Sequence, residues 1–200
     1  MTTTAAGPAG ASPAATDPTR WRTRDILVTA IIGVAFGVAF VGLNAAWSIL
    51  APASAAAPLV AFLLYGGWLV PAVLAPLIVR KPGAALYAEL VAAGVSALLL
   101  SPWGPDVLLS GFVQGAAAEL VFAFTLYRRW SMPVVAVAAV ASAAAAWLHD
   151  WVVWYPDLAM DVQIARGIAM AFSAVVIAGF GSAALARSLR RAGVLEGFPD

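Results

Sequence analysis

Six stretches of almost unbroken apolar residues divide the chain, near 25–50, 59–79, 83–101, 107–127, 132–153 and 162–186, with proline, glycine or charge between them. Each holds about 19–26 residues, against the roughly 20 that a helix needs to cross the hydrocarbon core of a bilayer. The strict alternation that barrel strands require is missing, and a backbone in lipid must satisfy its own hydrogen bonds. The pattern predicts an all-α membrane protein: a bundle of about six transmembrane helices over residues 20–191. A leading segment, 1–19, rich in Ala, Pro, Thr and Gly, reads as a disordered tail. The basic cluster Arg20, Arg22 and Arg24 comes late and precedes a run long enough to span, unlike a cleaved signal peptide, so the segment is expected to be retained. A short tail, 192–200, closes the chain.

Loop charge orients the bundle. Arg20, Arg22 and Arg24 precede the first span, Arg80 and Lys81 separate the second from the third, Arg128 and Arg129 separate the fourth from the fifth, and Arg187, Arg190 and Arg191 follow the sixth. Ten of the 11 basic residues thus fall on one side, with Asp106, Asp157 and Asp161 on the other. The positive-inside rule makes the basic side cytoplasmic, with both termini inside. Composition agrees: 63% of the residues are hydrophobic and 10% charged, where a soluble domain carries about 25% charged residues. Trp47, Trp103, Trp151 and Trp154 fall at outer ends and Trp21 and Trp130 at inner ends, as in an aromatic belt, while Trp68 and Trp147 lie deeper.

Polar groups within the spans are costly in lipid and mark candidate function. On the fourth span Gly111, Gln114, Gly115, Ala118 and Glu119 share an arc of about 140°. On the third, Glu89 shares a face with Ala85, Ala92, Ala93 and Ser96. Glu119 and Glu89 lie about 12 Å and 9 Å from the inner ends of their helices. No basic residue on any span reaches that level, so the two carboxylates should favour protonation, a shared proton or a cationic ligand. On the first span Gly33, Gly37, Phe40, Asn44 and Trp47 form one face. His149 on the fifth shares the small-residue face of Ser142, Ala145 and Ala146 and should point into the bundle, opposite Trp147, Asp150, Trp151 and Trp154. Tyr65 and Trp68 lie too deep for belt anchors and offer a stacking wall. Arg166, the one basic residue off the inner side, is expected to pair with Asp161 or Asp157. Each of these polar groups also has a plainer use as helix–helix glue.

Ala35, Ala39, Gly42 and Ala46 occupy the side of the first span nearly opposite Asn44, a small-residue surface suited to a helix from outside the chain. Walker-type phosphate loops, HExxH and GxSxG are absent, and no nucleophile stands beside a base, so the chain is not expected to be an enzyme. One histidine and no cysteine make a metal site improbable, no cofactor is indicated, and no basic patch with interleaved aromatics points to nucleic acid.

WRTRDILVTA entering the first span, YGGWLVPAVLAPLIVRKPGAALYAELVAA across the second and third, and SGFVQGAAAELVFAF in the fourth resemble the YkoE family. These are S components, the substrate-binding membrane subunits of energy-coupling factor (ECF) transporters, associated with thiamine or its hydroxymethylpyrimidine precursor. RKPGAALYAEL and QGAAAEL are the most specific strings in a resemblance running over about residues 21–190. It implies a six-helix S component whose partners are a transmembrane coupling subunit and two cytoplasmic ATPases, which would carry the ATP hydrolysis. It also implies docking through an AxxxA motif on the first helix, matched by Ala35 and Ala39. The pocket would open outward under the loop 51–58. Chemically, Glu119, Gln114 and Asn44 would hydrogen-bond an aminopyrimidine, with Glu89 at similar depth, His149 on the outer side, and Tyr65 or Trp68 stacking. A stand-alone proton-coupled carrier using Glu89 and Glu119, and a non-transporting structural membrane protein, are the alternatives.

Overall fold

The computed structural model describes residues 20–53 and 59–199. The expectations for 1–19 and for the loop 51–58 as a cover over the pocket fall wholly or largely outside those residues. The described elements are helices throughout. α1 runs Thr23–Ala53. A 3-10 helix Ala61–Gly67 leads into α2, Val70–Val79, to make the second span. α3 (Ala84–Leu98), α4 (Asp106–Phe124) and α5 (Met132–Val153) follow. α6 (Met160–Ser173), a π-helical stretch Ala174–Gly181 and α7 (Ser182–Arg191) form one continuous sixth span. Expected and observed spans agree to within a few residues at most ends.

The second span is apolar on every side, and every residue of α2 is buried; such a helix belongs in the middle of a bundle. Around it, α1 packs on α3, α3 on α4, α4 on α5, and α5 on α6 and the π-helical stretch. Small residues set the closest approach. A Cβ on Gly33 would lie 2.8 Å from the Ala88 carbonyl oxygen, and one on Gly37 2.8 Å from that of Ala92, so α1 meets α3 backbone to backbone. Opposite that seam, Ala35, Ala39 and Gly42 are exposed and Ala46 is half-buried.

Two irregular segments face each other. Ser173 Oγ accepts from the Gly66 N–H at 2.9 Å and donates to the Leu63 carbonyl, tying the 3-10 turn to the start of the π-helical stretch. Pro71 stands in the first turn of α2, where a missing N–H costs least. The result is a helix N-terminus partway through the membrane. α3, at 15 residues, is only about 22 Å long, shorter than the hydrocarbon core. The turn after it completes the crossing and carries Trp103 inward.

On the inner side, buried Asp25 lies 3.9 Å from both Lys81 Nζ and Arg24 Nε, and Trp21 Nε1 donates to the Pro82 carbonyl at 2.9 Å. Residues 192–199, in the short tail after α7, pack on this surface. Leu195 is buried, Arg24 donates to the Gly197 carbonyl, and its guanidinium lies 4.1 Å over the Phe198 ring.

Candidate functional site

A cavity enters the bundle from the side opposite the arginine-rich loops, about 640 Å³ of unfilled space with its open mouth included. α1 contributes Phe40, Asn44 and Trp47; the second span gives Tyr65 and Trp68. α3 and the turn after it give Glu89, Ser96 and Trp103, while α4 gives Asp106, Ser110 and Gln114. Asp150 of α5, with Trp154 and Tyr155 just beyond that helix, closes the circle.

The aromatic wall is a connected set of rings. Trp68 meets Trp47 at 5.9 Å, Trp103 at 5.7 Å and Tyr65 at 5.7 Å between centroids, all edge-on. Edge-to-face contacts of this kind are favourable for the ring quadrupoles and fix the orientation of each ring. Trp68 Nε1 donates to Asn44 Oδ1 at 3.1 Å, which holds the central indole.

Three carboxylates line the same space. Glu89 is buried at its inner end, and its Oε2 accepts from the Ala72 N–H at 3.0 Å. That N–H belongs to the first turn of α2, which lacks intrahelical partners, so Glu89 caps a helix beginning within the membrane. Asp106 Oδ2 accepts from Trp154 Nε1 at 2.9 Å, and Asp150 Oδ2 accepts from the Tyr65 hydroxyl at 2.9 Å. His149 bridges them: Nε2 lies 3.2 Å from Asp106 Oδ1 and Nδ1 3.2 Å from Asp150 Oδ1.

Behind Asp150 lies Arg166, fully buried, with Nη2 3.9 Å from Asp150 Oδ2 and Nη1 donating to Gln163 Oε1 at 2.6 Å. Its guanidinium lies 4.1 Å from the Tyr155 ring centroid and 4.6 Å from that of Phe62. The expected partners, Asp157 and Asp161, are both exposed; helix geometry turns Arg166 toward α5 instead. Burial pushes the Tyr155 phenol above its ordinary value, with Arg166 opposing this and Asp150 adding to it.

Five of the seven expected ligand residues meet at the cavity: Asn44, Tyr65, Trp68, Glu89 and Gln114. Two do not line it. His149 supports two lining carboxylates from behind. Glu119, expected at the ligand, is committed elsewhere: it accepts from the Gly83 N–H at 2.6 Å, the Ala85 N–H at 2.9 Å and the Tyr127 hydroxyl at 2.8 Å. It caps α3 from the side of α4. This removes it from the pair of unpaired carboxylates that a proton relay with Glu89 would need.

The pattern of residues misses the roles of Asp106, Asp150, Trp103 and Trp154. It places Asp150 on a face turned away from the bundle interior, whereas the residue is buried, and it reads the two tryptophans as belt. One signal does point the right way: four tryptophans and several acids gather at the outer ends, against two tryptophans at the inner ends. Among the described residues no group of three or more His, Cys, Asp or Glu is placed to hold a metal ion.

A cage of indoles and carboxylates inside a six-span bundle, opening on the face opposite the basic loops, defines a membrane-embedded solute-binding subunit. Comparisons with known proteins agree. Residues 24–145 match the family model described as "ABC-type cobalt transport system, permease component". The chain is 33% identical over 178 residues, 88% of each chain, to the Bacillus subtilis (strain 168) protein named "Putative HMP/thiamine permease protein YkoE". A solved structure, "Crystal structure of an S-component of ECF transporter", superposes with a TM-score of 0.85 at 32% identity, covering 89% of this chain and 90% of that one. The chain belongs to the YkoE family of S components, multi-pass membrane proteins of ECF transporters. Its relatives are named as a permease and as an S component of a transporter.

Proposed function

We propose that this chain captures thiamine, or its hydroxymethylpyrimidine precursor, at the outer face of the membrane and delivers it through a coupling subunit driven by two partner ATPases. The observation that carries this reading is the composition of the cavity wall. Asp106 and Asp150 line it together with Tyr65, Trp47, Trp68, Trp103 and Trp154, and among the described residues no lysine or arginine does. Aromatic faces with nearby carboxylates favour a flat cationic ring, because the ring quadrupole and the negative charge act in the same direction. That chemistry supports the cationic thiazolium of thiamine at the indole cage. The amide groups of Gln114 and Asn44 suit the hydrogen-bonding edge of an aminopyrimidine. The name of the Bacillus subtilis relative supports the same ligand pair.

Mass spectrometry of small molecules released from the gently purified protein tests the assignment; thiamine or the pyrimidine should be recovered from wild type. Trp103→Ala should lower thiamine affinity about tenfold while leaving the helical signal intact, since stacked aromatics contribute about 1–2 kcal/mol. An unrelated ligand recovered in stoichiometric amount would overturn the assignment.

The exposed Ala35, Ala39 and Gly42 face is the proposed docking surface for the coupling subunit. A Cβ at Gly42 meets nothing within 4 Å, so Gly42→Leu should leave thermal stability within about 0.5 kcal/mol of wild type. Co-purification of the coupling subunit should nevertheless fall sharply. Undiminished co-purification would move the docking surface elsewhere.

A further inference from the structure

A second cavity lies on the opposite, cytoplasmic side, about 560 Å³ of unfilled space with its open mouth included, between the inner ends of α2, α5 and α7. It arises from the course of the sixth span. α5 packs against the π-helical stretch, whereas α7 packs on α2, leaving a groove at the inner ends of α5 and α7. A π-helical segment widens a helix and shifts the register of the turns beyond it, and such segments are frequent at functional sites.

Three guanidinium groups surround the groove, Arg80, Arg187 and Arg190, and among the described residues no acidic side chain lines it. Two of them are held in place by the fold. Arg80 ends α2 in the left-handed conformation (φ 51°) with its guanidinium 5.7 Å from the Trp130 ring, and Arg190 donates to the Leu77 carbonyl at 3.2 Å. The floor is apolar, formed in part by Leu77 and Val135. Such a site pairs a fixed cluster of positive charge with a greasy base.

We propose that this groove binds the phosphate headgroup of an anionic phospholipid from the cytoplasmic leaflet. Its surroundings favour lipid over another anion. Above the groove the sixth span continues as apolar surface. Phe180 and Val176 on the sixth span and Val137 and Val140 on α5 are exposed, as lipid-facing side chains would be. Acyl chains can therefore follow the bundle wall while the phosphate meets the arginines. This site is separate from the outer cavity and does not rest on the ligand proposed there.

The test is native mass spectrometry of the full chain in neutral detergent, titrated with phosphatidylglycerol and, separately, with phosphatidylcholine of the same acyl chains. Wild type should bind one phosphatidylglycerol saturably and show no saturable phosphatidylcholine adduct. R187Q should weaken that binding about fivefold, and R80Q/R187Q about 25-fold, the expectation for losing one and two guanidinium contacts near the membrane surface. R128Q/R129Q removes the same charge from positions outside the groove and should change affinity less than twofold. Matching unfolding temperatures in lipid-free detergent establish that the variants remain folded; Arg187 is exposed, so R187Q alone suffices if the double variant does not fold. Equal losses for the groove and control pairs would reduce the effect to general surface charge and overturn the proposal. So would equal binding of both lipids, or displacement of phosphatidylglycerol by millimolar inorganic phosphate, which would indicate a free-anion site. Unchanged lipid binding in groove variants that lose the cytoplasmic partner subunits would assign the groove to an acidic protein segment instead.

Discussion

Asp150→Ala is expected to destabilise the bundle by about 3–5 kcal/mol, read as a large fall in unfolding temperature in detergent. Asp150 is the acceptor for Tyr65 and the nearest carboxylate to the fully buried Arg166, and His149 leans on its other oxygen. Removing it leaves a guanidinium in a place where neither water nor lipid can compensate the charge. The Tyr155 and Phe62 faces soften that penalty without replacing a carboxylate. Two further variants identify the cause. Asp150→Asn retains an acceptor for Tyr65 and should lose less. Adding Arg166→Met to Asp150→Ala should recover much of the stability, because an apolar pair of similar volume carries no charge to bury. If the double variant were no more stable than Asp150→Ala, the ion pair would not be the origin of the loss.

Glu119→Ala is expected to cost about 2–4 kcal/mol through a different mechanism, the loss of a cap. The Gly83 and Ala85 N–H groups open α3, and with Gly83 at φ 86° the chain itself supplies no side-chain cap there. The Glu119 carboxylate, from another helix, takes that place. Glu119→Gln keeps one acceptor oxygen and should fall between wild type and alanine. Ligand affinity per folded molecule should be unchanged in both. A selective loss of thiamine affinity at an unchanged unfolding temperature would place Glu119 at the ligand, as its depth and residue type alone suggest.

That contrast shows where residue patterns carry the argument and where they stop. Span number, approximate span ends and the facing of α1 were legible because lipid imposes them: apolar length, loop arginines and the Gly33–Gly37 seam each have a single economical solution. The importance of Glu89 and Glu119 was legible too, since a carboxylate in a span is costly. Their roles were not. Both cap helices, and finding the cap requires knowing that α2 starts inside the membrane, which depends on the 3-10 turn and its Ser173 bond to the sixth span. Local propensity does not encode such long-range contacts. RKPGAALYAEL and QGAAAEL, the strings most specific to the family, turn out to touch, with Glu119 of one closing the start of the helix that bears the other.

The outer tryptophans teach a related lesson. Trp47, Trp103 and Trp154 sit at the depth of a belt, and depth alone cannot distinguish a ring facing headgroups from one facing a cavity. The difference comes from the short α3, whose connecting turn swings Trp103 against Trp68, together with the turn after α5 that brings Trp154 to Asp106. The carboxylates next to those rings are what the proposed cationic ligand would meet.

Isothermal titration calorimetry of the purified chain with thiamine, in neutral detergent and with no partner subunit present, tests the central claim most directly. A saturable one-site isotherm that weakens in Trp103→Ala is the predicted result, with hydroxymethylpyrimidine competing for the same site. Absence of saturable binding by either compound to folded wild-type protein would contradict it.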